Sequence, residues 1–202
     1  MLSGKITDEI FNSILPTYQL ERAYEWYSSY GSPDEQVQIL IYLGRSYFAD
    51  GDYDKAMSIY TNALDIAEKN KLNNLTGYIY DYIGDLYREK FMRTEAIKKY
   101  KAAAECFKKE KNTDSYACAL RDVGREYAEM DSLSHALHIL IIADSVANKT
   151  KNIEVTASIN NALGNIYAMQ NKYDKAEKYL LKALLTGREK MPDYVALIDL
   201  YT

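Results

Sequence analysis

Cysteine is nearly absent. Cys106 and Cys118 are the only two in 202 residues, too few for a disulfide framework, so the fold has to rest on a buried apolar core. Free thiols and a single bridge both stay open. The chain has only three prolines and nine glycines, and four of the glycines recur at a fixed interval. Little is left over for the turns of a many-stranded fold. No run of about 18 apolar residues occurs, so no segment reads as a membrane-spanning helix. The first residues, Met1-Leu2-Ser3-Gly4-Lys5, lack the apolar core of a signal peptide. The expected compartment is cytoplasmic by default, with a place outside the cytoplasm open if the chain is part of a membrane-anchored regulator. Basic residues are not in excess. The net charge is −4 with the signs interspersed, which gives no basic face for nucleic acid. His135 and His138 are the only histidines; no cysteine or carboxylate pair completes a metal site around them. Gly-rich phosphate loops, GxSxG and HExxH are all missing, and neither cysteine has a base beside it in sequence. No metal, cofactor or catalytic residue is therefore expected.

What is present is a repeat. The composition, 48% hydrophobic and 27% charged, is that of a soluble globular chain. Gly44, Gly84, Gly124 and Gly164 stand forty residues apart. Each follows an aliphatic residue and precedes, by three positions, Tyr47, Tyr87, Tyr127 or Tyr167. Twelve residues after the glycines come Ala56, Ala96, Ala136 and Ala176, and seven further on Ala63, Ala103, Ala143 and Ala183. Small and large residues held in phase over a fixed period mark a stacked array.

Within each period the apolar spacing is helical: Ile39, Leu40, Leu43 and Tyr47, then Ala56, Ile59, Tyr60 and Ala63. Ser32-Pro33-Asp34-Glu35 reads as a helix start with a capping box. The spacing predicts helices over about 33–49 and 53–69, then 73–90 with 93–110, 113–130 with 133–150, and 153–170 with 173–189. Residues 5–15 and 17–30 read as two further helical pieces. No sustained two-residue alternation occurs, so no sheet is expected. The fold class is all-α, an α-solenoid of antiparallel helix hairpins. The organisation is 1–31 as a degenerate N-terminal cap, repeats at 32–71, 72–111, 112–151 and 152–191, and 192–202 as the start of a further repeat. The glycines and alanines leave room where helices cross. Tyrosines at 47, 53, 60, 87, 100, 127, 167 and 173 are expected to fill the remaining core. The stop at Thr202, inside a repeat, reads as a cut in a longer protein.

Leu43-Gly44, Tyr47, Gly51-Asp52-Tyr53, Ala56, Tyr60 and Ala63, matched by Leu163-Gly164, Tyr167, Tyr173, Ala176, Leu180 and Ala183, resemble the tetratricopeptide repeat family. The turns at Phe91-Met92-Arg93 and Asp131-Ser132-Leu133 match less well. The period is 40 rather than the family's usual 34 or so. Leu40, Tyr80, Leu120 and Asn160 stand at its early tryptophan position. The resemblance implies a right-handed superhelix whose concave groove takes a peptide or domain of a partner protein. Its groove positions fall on Gln38, Tyr42 and Arg45, then Tyr78, Asp81, Tyr82, Asp85 and Arg88, then Arg121, Asp122 and Arg125, then Ser158, Asn161 and Asn165. Arginine and tyrosine dominate binding hot spots, and arginine holds carboxylates bidentately. Arg121, Asp122 and Arg125 could instead pair with Asp81 and Asp85 across neighbouring helices, which leaves less charge for a ligand. Three roles stay open: an interaction scaffold, the sensor segment of a larger bacterial regulator, and a homo-oligomerisation unit using the apolar end at Leu197, Leu200 and Tyr201. Neither nucleic acid nor membrane insertion is expected of this segment.

Overall fold

A computed structural model describes residues 17–150 and 152–186. The helical piece expected at 5–15 and the further repeat expected at 192–202 lie outside these residues. Among the described residues every element is an α-helix. In chain order they are α1 (Thr17–Tyr30), α2 (Pro33–Ala49), α3 (Tyr53–Lys69), α4 (Asn73–Glu89), α5 (Arg93–Lys109), α6 (Thr113–Glu129), α7 (Leu133–Ala147), α8 (Ile153–Met169) and α9 (Tyr173–Thr186). No helix among them is long and apolar enough to cross a membrane. Sequential helices pack on one another, and the architecture is an all-α solenoid.

Local chemistry sets the helix ends. Ser32 caps α2 with its side chain accepting from the Glu35 amide, while Glu35 reaches back to the Ser32 amide at 2.9 Å, a reciprocal capping box. Asp52, Asn112 and Asn152 cap α3, α6 and α8 through their side-chain oxygens. The C-termini of α2 to α6 and of α8 share one closure. Gly51, Lys71, Phe91, Lys111, Asp131 and Asn171, all in one phase of a twenty-residue spacing, have φ between 56° and 78°. The amide of each bonds the carbonyl three residues back, and the next amide bonds the carbonyl five residues back: Gly51 to Phe48 at 3.0 Å and Asp52 to Tyr47 at 2.9 Å, then Phe91 to Arg88 at 2.9 Å and Met92 to Tyr87 at 2.8 Å. This is the Schellman arrangement. Five of these six residues carry a Cβ in the left-handed region, which costs about 1–2 kcal/mol each. The turns around Phe91 and Asp131, poor matches by composition, therefore close in the same way as the glycine turn.

Two compact units divide within α4, at Tyr82 and Ile83. In the first, α1 is fastened to α2 through the Thr17 hydroxyl, which lies 2.7 Å from the Ser46 hydroxyl and donates to Asp50, and through Tyr47, which donates to Glu21. Leu20, Ile39 and Leu43 form its core with Tyr24, Tyr27, Tyr42, Tyr47 and Ile59 around them. Tyr60, 1% exposed, fills the space at Gly44; a Cβ there would lie 2.3 Å from the Tyr60 ring. In the second unit the same crossing recurs. A Cβ on Gly84 would meet the Tyr100 ring at 2.5 Å, one on Gly124 the Leu140 side chain at 2.7 Å, and one on Gly164 the Leu180 side chain at 2.6 Å. The eight in-phase alanines are completely buried.

Two positions depart from the expected core. Tyr173 is 54% exposed and donates to Asn171. Its counterpart Tyr53 is half-buried against the Phe48 ring at 5.4 Å, but the residue matching Phe48 is Ala168, which has no ring to pack on. Asn160 is 0% exposed, and neither polar atom of its side chain has a hydrogen-bond partner among the described residues. Leu40, equally buried, occupies the same position in the first repeat.

Gly84→Ala is expected to lower the unfolding free energy by about 1–3 kcal/mol through overpacking; urea titration followed by far-UV circular dichroism measures it, and an unchanged midpoint contradicts the close approach to Tyr100. Asn160→Leu is expected to raise stability by about 1–2 kcal/mol, because an unsatisfied buried amide is replaced by an apolar group. A loss in the same titration would mean that the amide has a partner.

Candidate functional site

In the first unit, Gln38, Tyr42 and Arg45 follow a four-then-three spacing that puts them on one face of α2. Tyr78 and Tyr82, four apart, share a face of α4. These five side chains line one cavity of about 290 Å³, with Ile41 and Leu75 as apolar wall. Asp81, half-buried on α4, does not line it. The order of the wall traces back to the glycine crossing. Tyr60, seated against Gly44, stacks on Tyr82 with centroids 5.5 Å apart and an interplanar angle of 14°. The Arg45 guanidinium lies over the Tyr82 ring at 5.8 Å, within cation–π reach. Arg45 is exposed and has no carboxylate within ion-pair distance among the described residues. Gln38 donates from its amide to Asp34 at 2.6 Å. Ile41 and Leu75 were missed in sequence because an apolar residue beside the repeat core reads as more core; their helical spacing to Arg45 and Tyr78 is the signal.

The predicted residues of the second unit are largely engaged with one another. The Tyr100 hydroxyl donates to Asp85 at 2.7 Å, and Arg88 donates to the same oxygen at 2.9 Å. Burial pushes the Asp85 carboxyl above its usual range, with Arg88 pulling the other way. Burial also raises the Tyr100 phenol, reinforced by Asp85. Arg121 forks onto its helix neighbour Asp122 at 3.0 and 2.8 Å and reaches the Ser158 hydroxyl at 3.0 Å. Asp122, expected as a ligand contact, is 7% exposed with both oxygens held by Arg121. It lies largely beneath the adjacent guanidinium and also lines the charged cavity of this unit. Asn165 donates to Asn161 at 3.1 Å, so the two amides spend part of their capacity on each other. Arg125 is 57% exposed, with Asp122 at 3.9 Å as its ion pair.

Sequence reading missed a second charged cluster. Arg93 donates to Glu126 at 2.9 Å and to Glu129 at 3.4 Å, and its guanidinium lies 5.5 Å over the exposed Phe91 ring. With Arg88 and Arg125 these residues line a cavity of about 420 Å³. Glu126 is 2% exposed, and burial pushes its carboxyl above the ordinary value against the Arg93 hydrogen bond. The available signal was phase: its counterparts Ser46, Leu86 and Ile166 are all buried and uncharged, so a glutamate at that position demands a cation.

Residues 37–70 and 157–186 match the family model of the tetratricopeptide repeat. These two stretches are thus similar to the tetratricopeptide repeat, and the described residues form a helical repeat array. Among solved structures it superposes on BtubC (BKLC) from P. vanneervenii with a TM-score of 0.75 at 19% identity, covering 87% of this chain and 74% of that one. A Rap protein complexed with competence and sporulation factor gives 0.76 at 19%, covering 88% and 50%. The signal-transduction ATPase PH0952 from Pyrococcus horikoshii, which has a tetratricopeptide repeat sensor, gives 0.71 at 19%, covering 91% and 28%. No curated protein matches the chain.

The raised Glu126 carboxyl has a stability consequence. The folded state binds its proton more tightly than the unfolded state, whose value is near 4.5. Its contribution is therefore most favourable at low pH and is lost as pH rises through the folded value. Glu126→Gln is expected to flatten the fall in stability above pH 4.5, measured by urea titrations across pH. An unchanged slope would mean that Arg93 offsets the burial.

Proposed function

We propose that this chain is a protein-interaction scaffold with no catalytic chemistry of its own, and that the first unit's cavity takes a segment of a partner protein. The observation that carries this is the convergence of Gln38, Tyr42, Arg45, Tyr78 and Tyr82 on one open cavity. Large aromatic surface beside an unmatched guanidinium is the composition of a binding hot spot. In the second unit the exposed Arg125 is the best placed of the predicted positions, while Asp85, Arg88 and Arg121 hold the surface in shape. A Rap protein of similar fold is complexed with competence and sporulation factor, which favours a binding role for an array of this fold. The acidic balance of the chain, −4, disfavours nucleic acid as the partner. A second reading, a sensor segment within a larger regulator, is favoured by the likeness to PH0952, of which this chain covers 28%. The coding sequence on either side distinguishes the two: an output domain supports the second, further repeats alone the first.

The test is capture of partners from lysate of the native organism by wild type and by the Tyr82→Ala, Arg45→Glu double variant, matched for helicity. A partner retained by wild type and depleted at least tenfold on the variant is the expected result. Equal recovery of every partner would place binding elsewhere on the molecule.

A further inference from the structure

We infer that the segment entering the first unit's cavity presents a carboxylate side chain next to an aliphatic one, and that Arg45 reads the acid. This rests on the proposed function and specifies its ligand. The residues that directly follow the four repeat glycines are Arg45, Asp85, Arg125 and Asn165. Asp85 is held by Tyr100 and Arg88, Asn165 by Asn161, and Arg125 has Asp122 at 3.9 Å. Arg45 alone in this set has no side-chain hydrogen bond or ion pair among the described residues; its contact is the face of Tyr82. A ring face holds a guanidinium as a cation without consuming its N–H donors, so those donors stay available for a bidentate carboxylate. The platform is rigid, because Tyr82 rests on Tyr60 and Tyr60 is locked against Gly44. Arg45 therefore lies over a packed ring pair. Ile41 and Leu75 give the same cavity an apolar wall, which sets an aliphatic group beside the acid. An acidic group satisfies the guanidinium; a basic one would meet like charge.

The experiment is selection of a random dodecapeptide display library on wild type, Arg45→Gln, Arg45→Glu and Tyr82→Ala, with Lys69→Gln as a charge-matched control. Wild type and the control are expected to enrich peptides with Asp or Glu beside Leu, Ile or Met. Arg45→Gln is expected to lose the acidic preference, and Arg45→Glu to enrich Lys or Arg. In the best synthetic peptide, changing the acid to its amide is expected to weaken binding at least tenfold. Peptides that depend on Tyr82 but show no acidic preference, or an acidic preference that survives Arg45→Gln, would overturn the inference while leaving the cavity as a binding site. A phosphoserine peptide binding at least tenfold more tightly than its glutamate counterpart would overturn the carboxylate assignment. Failure to select any Tyr82-dependent peptide would overturn the proposed function together with this inference.

Discussion

Everything in this molecule depends on a helix crossing where one residue has no side chain. At Gly44, Gly84, Gly124 and Gly164 the backbone of one helix lies so close to Tyr60, Tyr100, Leu140 or Leu180 of the next that a single added methyl would collide. The eight buried alanines extend that closeness along the pair. Helices that approach this tightly gain dispersion contacts along their length and exclude water from the seam. A lone hairpin would still leave its outer face bare, so stability has to be shared with neighbours.

The crossing also governs the candidate site. Tyr60 enters because Gly44 yields space, Tyr82 stacks on Tyr60, and Arg45 lies over Tyr82. A packing constraint is thus passed through two rings to an exposed cation. In the second unit the equivalent crossing at Gly84 carries a different load. Tyr100 is again packed at the glycine, but its hydroxyl goes to Asp85, which Arg88 also holds. The repeat register gives similar positions, and the identity of the neighbouring charge decides whether a position faces a ligand or neutralises itself.

The turns show how a regular backbone outlasts an irregular sequence. Only Gly51 announces its left-handed turn by composition; Lys71, Phe91, Lys111, Asp131 and Asn171 adopt the same conformation with a side chain. The two amide bonds of each closure satisfy carbonyls at the end of a helix that packing already holds in place. Tertiary contact therefore overrides the local preference, and a rule based on glycine would have found one turn in six.

Helix number and hairpin register over the described residues were legible in the sequence, because a forty-residue period with glycines and alanines in phase leaves few ways to pack; α7, expected to reach 150, ends at Ala147. The shared faces of Gln38, Tyr42 and Arg45 on α2 and of Tyr78 and Tyr82 on α4 were legible for the same reason, since helical spacing puts them together. Side-chain partnership was not legible. Arg121 and Arg125 read alike in sequence, yet one is folded onto Asp122 and the other is exposed. Glu126 was not singled out in the sequence and is buried on Arg93. Tyr173 read as core and is exposed, for want of a ring at Ala168. Periodicity fixes which way a residue points along its own helix. Which atom meets it there depends on neighbours distant in sequence, and only the packed structure brings those together.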